Sequence, residues 1–282
     1  MSDGIIDVVR RPLQSGKEAE VYVVDCGGET CCAKIYKAAT HRSFQSRAEY
    51  AEGRQHGSSR RARAVAKGSR YGKQVDEETW QRTEVDALYR LAEAGVRVPR
   101  PYQFADGVLI MELVTNADGE AAPRLDGVAV SAEEARDWHG RLVREVVRML
   151  CAGLVHGDLS AYNILIDESG PVIIDLPQVV DAAGNNNASR MLIRDVDNLT
   201  AFFARSAPEL ANTDYAREIW ALYETGELTP NTPLTGHYEP ASHTPDVYAV
   251  LGEIQAAREE AAGEIPWDER EDDEEDEDDE DW

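Results

Sequence analysis

Hydrophobic positions alternate with polar ones over three short stretches near the N-terminus, Val8 to Leu13, Ala19 to Asp25 and Thr30 to Tyr36. This alternation predicts three strands, and Cys26-Gly27-Gly28 predicts a tight turn between the last two. From about Glu77 to Ala94 the period lengthens, with Trp80, Leu88 and Leu91 marking the apolar face of a helix. Val108 to Val114 returns to strand character and leads into Thr115-Asn116, where a linker between two lobes would start. Ser131-Ala132-Glu133-Glu134 carries a helix-start signal, and Trp138, Leu142, Val146 and Leu150 recur on one helical face up to Gly153. Beyond it, Ile164 to Ile166 and Val172 to Ile174 predict a second hairpin that turns through Asp167, Glu168, Ser169 and Gly170. Helices are expected near Arg190 to Phe203, Thr213 to Glu224 and Thr244 to Ala262, with a Pro-rich loop at Thr229 to Pro240.

Chemistry concentrates around that second hairpin. His156-Gly157-Asp158-Leu159-Ser160-Ala161-Tyr162-Asn163 precedes its first strand, and Asp175 follows its second. Asp158 can orient or deprotonate an attacking hydroxyl. Asn163 can offer a neutral amide oxygen to a metal, and Asp175 a hard anionic oxygen to the same ion. The hairpin returns Asp175 to the neighbourhood of Asn163, so the pair can share a magnesium ion. This combination points to nucleotide phosphotransfer.

Lys34 sits in the apolar run Cys32-Ala33-Lys34-Ile35-Tyr36. A buried ammonium is costly unless paired, and Glu84 in the first predicted helix is its natural partner. Gln14-Ser15-Gly16-Lys17-Glu18-Ala19 lies between the first two strands. It lacks the upstream glycine of a Walker-A loop, which disfavours a P-loop NTPase. The lone glycine reads by default as a hairpin turn, and a flap whose backbone amides and Ser15 hydroxyl face phosphate is the alternative reading. Asp195 and Asn198 are expected to bind backbone of the loop around Asp158.

Charge divides the chain. Asp268 to Asp281 holds thirteen carboxylates and one arginine, so it contributes −12 of the net −25. Such a run repels itself and predicts a disordered acidic tail over 266–282. Conversely, Arg54 to Lys73 holds seven Arg or Lys residues and no acid within the long polar stretch Ala38 to Val75. That composition predicts a mobile loop. The four cysteines, Cys26, Cys31, Cys32 and Cys151, form no C-x-x-C pair and read as free thiols in a reducing cytoplasm. No apolar run approaches membrane-spanning length, and the first residues lack signal-peptide regions.

Taken together, these motifs resemble the RIO family of atypical serine/threonine protein kinases over roughly residues 8 to 260. The matching pieces are Ser15-Gly16-Lys17-Glu18-Ala19, Lys34-Ile35-Tyr36-Lys37, the long insertion before Glu84, and the string from His156 to Asn163. Ile174-Asp175-Leu176-Pro177-Gln178 and Arg194-Asp195-Val196-Asp197-Asn198-Leu199 complete the set. Starting at its first strand, the chain looks closest to the subfamily without an N-terminal winged helix and to its bacterial relatives.

The resemblance implies an α+β, two-lobed kinase-like fold without an activation segment. A small β-rich lobe would span 1–113 with its basic loop at about 38–75, and a helical lobe would span 114–265. It also implies ATP-dependent phosphorylation of protein serine, autophosphorylation and ATPase activity, with Mg²⁺ or Mn²⁺. On the matching positions, Ser15, Gly16, Lys17 and Glu18 form the phosphate loop, and Lys34 and Glu84 hold the nucleotide. Met111 guards the adenine pocket while Glu112 and Val114 lend it backbone groups. Ser160 and Tyr162 flank the nucleotide, Asp158 is the base, and Asn163 and Asp175 take the metal. Eukaryotic and archaeal relatives serve small-subunit ribosome maturation, which suggests contact with ribosomal RNA or protein through Arg54 to Lys73. Two departures from ordinary protein kinases stand out. Gly157 replaces an arginine that pairs with phosphorylated activation loops, and Ser160 replaces a lysine that reaches the γ-phosphate, so slow turnover is expected. Two alternatives are a small-molecule phosphotransferase of the aminoglycoside and choline kinase type, and a non-enzymatic, nucleotide-dependent assembly factor.

Overall fold

A computed structural model describes residues 5–16, 19–37 and 70–239, with the side chains of 70–78 and 80 outside that description. Lys17, Glu18, most of the basic stretch, the expected helix at 244–262 and the acidic tail fall outside the described residues.

Five antiparallel strands form the N-terminal sheet: β1 (Val8–Ser15), β2 (Ala19–Cys26), β3 (Glu29–Tyr36), β4 (Pro101–Ala105) and β5 (Val108–Glu112), in the order β1-β2-β3-β5-β4. Cys26 pairs with Glu29, so Gly27 and Gly28 are the two turn residues, at φ +60° and +87°. Both angles are needed for a type I′ turn, and glycine takes them without a Cβ clash. The strand β4 was not expected from its sequence, because Tyr102 and Gln103 are exposed and blur the alternation. Its signal was the adjoining Asp106-Gly107, a hairpin turn with φ +51° and +75° that joins it to β5.

The helix α1 (Arg70–Glu93) starts at Arg70 rather than near Glu77, so the C-terminal end of the expected loop is helical. Leu88 and Leu91 on it are buried against the sheet and the helical part. The helix α2 (Ala132–Cys151) begins with the expected capping box, in which Ser131 Oγ accepts from the Glu134 N–H and Glu134 accepts from the Ser131 N–H. Leu142, Val146 and Leu150 are buried on its inner face, with Trp138 packed beside them.

After α2 come the short β6 (Leu154–Val155), the hairpin β7 (Ile164–Asp167) and β8 (Gly170–Ile173), and β9 (Val180–Asp181), which pairs with β6. The two-residue strands β6 and β9 are too short to leave a periodic signature. The helices α3 (Ala188–Phe203) and α4 (Tyr215–Glu224) close the helical part. A continuous hydrophobic core runs from Ala19 and Tyr36 in the sheet to Phe203 and Ile219 in the helices. Among the described residues, no helix is long and apolar enough to cross a membrane.

Candidate active site

Lys34 lies on the central strand β3, paired with Val21 on one side and Leu109 on the other. Its side chain points into a cleft between the sheet and the β7–β8 hairpin, where Nζ meets Glu84 Oε1 at 2.5 Å and Asp175 Oδ1 at 3.0 Å. Burial alone would favour the neutral amine. The two carboxylates overcome it and hold the ammonium protonated well above the usual lysine range. The ammonium also sits 5.5 Å from the centroid of the Tyr36 ring.

Asp175 reaches Lys34 because its backbone turns sharply after β8, with φ +65°. A non-glycine residue in the left-handed region is strained, and such strain is found where a side chain must be aimed. Burial would raise the Asp175 pKa, but the Lys34 charge and hydrogen bond hold it below the ordinary carboxylate value. The carboxylate therefore stays ionised, as a metal ligand must.

Asn163 is bonded to the Asp158 loop and to the end of the β7–β8 hairpin. Its Nδ2 donates to the Asp158 carbonyl at 2.9 Å, and its own carbonyl accepts from the Ile174 N–H at 2.9 Å. With Nδ2 engaged, Oδ1 is the atom left for a cation. An amide oxygen and a carboxylate are both hard donors, and two such groups suit Mg²⁺, which keeps waters and substrate phosphates in its remaining positions. Among the described residues there is no cluster of three or more His, Cys, Asp or Glu that would form an all-protein metal cage.

The loop bearing Asp158 is held from behind. His156 is buried; its Nε2–H donates to the Ile174 carbonyl at 3.2 Å and its Nδ1 accepts from the Asp158 N–H at 3.3 Å. Burial lowers the His156 pKa, so this bonding pattern is that of the neutral ring. Asp195, on α3, accepts from the N–H groups of Gly157 at 2.7 Å and Leu159 at 2.9 Å, and Asn198 Nδ2 donates to the Leu159 carbonyl at 3.3 Å. These are the contacts expected of Asp195 and Asn198. Burial pushes the Asp195 carboxyl up to about 7 despite those amide bonds. Arg194 adds a bond that carried no expectation, donating to the Gly157 carbonyl. Partial burial raises the Asp158 pKa, and the Arg194 charge opposes it.

A cavity of roughly 630 Å³ occupies the cleft. Met111, Glu112 and Val114 line one part of it, and Gly16, Lys34, Glu84 and Asp175 another. The Val114 carbonyl already accepts from Ala122 at 2.9 Å, so its N–H is the group available to a planar base. Ser15, Asp158, Ser160, Tyr162 and Asn163 are not among the lining residues, and Tyr162 is largely exposed. The loop after β1 is braced by Lys37, whose Nζ donates to the Gly16 carbonyl at 2.9 Å and to Ser15 Oγ at 3.4 Å. Lys37 lay within the quoted motif without a role. Arg124 also lines the cavity, although a lone cation in a Pro-containing loop carries no sequence signal.

Residues 20–216 match the family model of the RIO domain. The chain is 37% identical to the RIO-type serine/threonine-protein kinase Rio1 of Haloferax volcanii, over 74% of this chain and 68% of that protein. It is 33% identical to the human serine/threonine-protein kinase RIO1, over 73% of this chain and 35% of that protein. With the corresponding kinase of Chaetomium thermophilum it shares 30% identity over 73% of this chain and 41% of that protein. The match thus spans well under half the length of these two eukaryotic relatives.

Proposed function

The chain belongs to the RIO family, and on that premise we propose that it is an ATP-dependent protein kinase that phosphorylates serine, including serines of its own chain. The observation that carries this reading is the double contact of Lys34 with Glu84 and Asp175 in one cleft. It sets a cation where nucleotide phosphates would lie, beside a carboxylate suited to a divalent ion. Divalent metal chemistry comes with the family, and Asn163 and Asp175 are the residues that would hold the ion as Mg²⁺. When bound, the metal neutralises charge on the phosphates.

In this reading the serine oxygen bonds to the γ-phosphorus while the bond to the departing ADP oxygen breaks, and Asp158 receives the hydroxyl proton. The raised Asp158 pKa suits a proton acceptor. Met111, Glu112 and Val114 receive the adenine, Gly16 and Ser15 cover the phosphates with Lys17 and Glu18, and Glu84 fixes Lys34. Ser160 and Tyr162 stand on the acceptor side. Free cysteines among the described residues suit a cytoplasmic enzyme. Contact with ribosomal RNA or protein would fall to Arg54 through Lys73, most of which lies outside the described residues.

The test is transfer of label from γ-labelled ATP with Mg²⁺ present, followed by phosphoamino-acid analysis. Label on protein serine is expected. Label appearing only on an added aminoglycoside or choline, or only as free phosphate, contradicts the reading.

A further inference from the structure

The charges lining the cleft do not balance evenly. Lys34 is shared between two carboxylates, Glu84 and Asp175. Among the described residues that line the cavity, the other cation is Arg124. Its side chain donates to the amide oxygen of Gln14, a neutral group on the β1 flap, so its charge is not cancelled by that bond.

Arg124 is held in place by its backbone rather than by its guanidinium. It bridges to Leu165 on β7, the Pro123 carbonyl before it accepts from the Ile166 N–H at 2.9 Å, and the Ala122 N–H donates to Val114 at 2.9 Å. The root of the side chain is therefore fixed to the floor of the cleft while its tip touches the flap. An arginine so placed is preorganised for an anion, since its other donors can be offered without reordering the chain.

We propose that Arg124 is a nucleotide-binding residue that exchanges Gln14 for a phosphate oxygen of the bound nucleotide. This rests on the nucleotide-cleft reading above. It supplies to the polyphosphate a second cation beside Lys34. A charge-assisted hydrogen bond to phosphate is stronger than one to a neutral amide, so the exchange runs toward the nucleotide.

Calorimetric titration with MgADP and with adenosine, on the full chain, separates the ideas. Tight wild-type binding of MgADP establishes the cleft; its failure would sink the nucleotide reading itself. Given wild-type binding, Arg124→Met should weaken MgADP about tenfold while leaving adenosine within about twofold, because only the former carries phosphates. Gln14→Ala should act in the opposite direction and tighten MgADP, since it removes the competing acceptor. Equal weakening of MgADP and adenosine by Arg124→Met, or weakening of MgADP by both substitutions, overturns the proposal and makes Arg124 a structural brace of the flap.

Discussion

Lys34 Nζ and Glu84 Oε1 meet at 2.5 Å across 50 positions of sequence, joining the central strand of the sheet to the helix α1. Both side chains are almost fully buried. Such a pair positions better than it stabilises, because desolvation offsets much of its attraction.

Removing only one partner should therefore be worse than removing both charges. Lys34→Met leaves the Glu84 carboxylate buried beside Asp175 without its cation, at a cost of about 3 kcal/mol. Lys34→Met with Glu84→Gln should recover part of that loss, while phosphotransfer stays abolished in both. Urea denaturation of the four members of the cycle measures the coupling. Strictly additive losses would show two independent side chains.

Asp195 gives stability a pH dependence of unusual sign. Its folded pKa of about 7 lies above the ordinary value of 3.8, so between these values the folded chain holds more protons than the unfolded one. Stability from this group is fully present at the acid end and is lost as pH rises through about 7. The charged and titratable neighbours that shape it are Asp158 and Arg194. Denaturation at pH near 5 and near 8 is expected to show a larger acid-side advantage for the wild type than for Asp195→Asn, which cannot titrate. The substitution should also lower overall stability by about 1–3 kcal/mol, because one of the two loop amides loses its acceptor.

How much of this was legible in sequence depended on whether a role is set locally. Asp158, Asn163 and Asp175 are brought together by a loop and a single hairpin, so their spacing announced them. Asp195 and Asn198 could be assigned to the loop backbone because the quoted motif holds them at helical spacing. Arg124 belongs to a segment that meets the cleft only through tertiary packing, and neither flank of sequence marks it, whereas Arg194 sits inside the motif beside Asp195 and only its bond to the Gly157 carbonyl reveals its part. The start of α1 was misjudged for a different reason: glycines, serines and cations up to Lys73 carry no apolar period, yet the helix extends back to Arg70. Similarly, β4 was hidden by exposed polar positions although Asp106-Gly107 had signalled its hairpin.

Asp175 and Asp158 should separate in their dependence on metal. Asp175→Ala removes a proposed ligand and should make nucleotide affinity nearly insensitive to Mg²⁺, whereas Asp158→Asn should keep the wild-type Mg²⁺ response. Nucleotide titrations with and without Mg²⁺ distinguish them. The same loss of Mg²⁺ response in both variants would show that the two carboxylates share one role.

The proposed role of Asp158 is to receive the proton of an attacking serine in a cleft organised by Lys34, Glu84 and Asp175. Single-turnover transfer from γ-labelled ATP to protein serine, comparing wild type with Asp158→Asn at matched nucleotide occupancy, tests it most directly. The expected result is a fall of at least about a hundredfold in the transfer rate, with MgADP affinity within a few-fold of wild type. Transfer by Asp158→Asn at the wild-type rate would contradict the assignment.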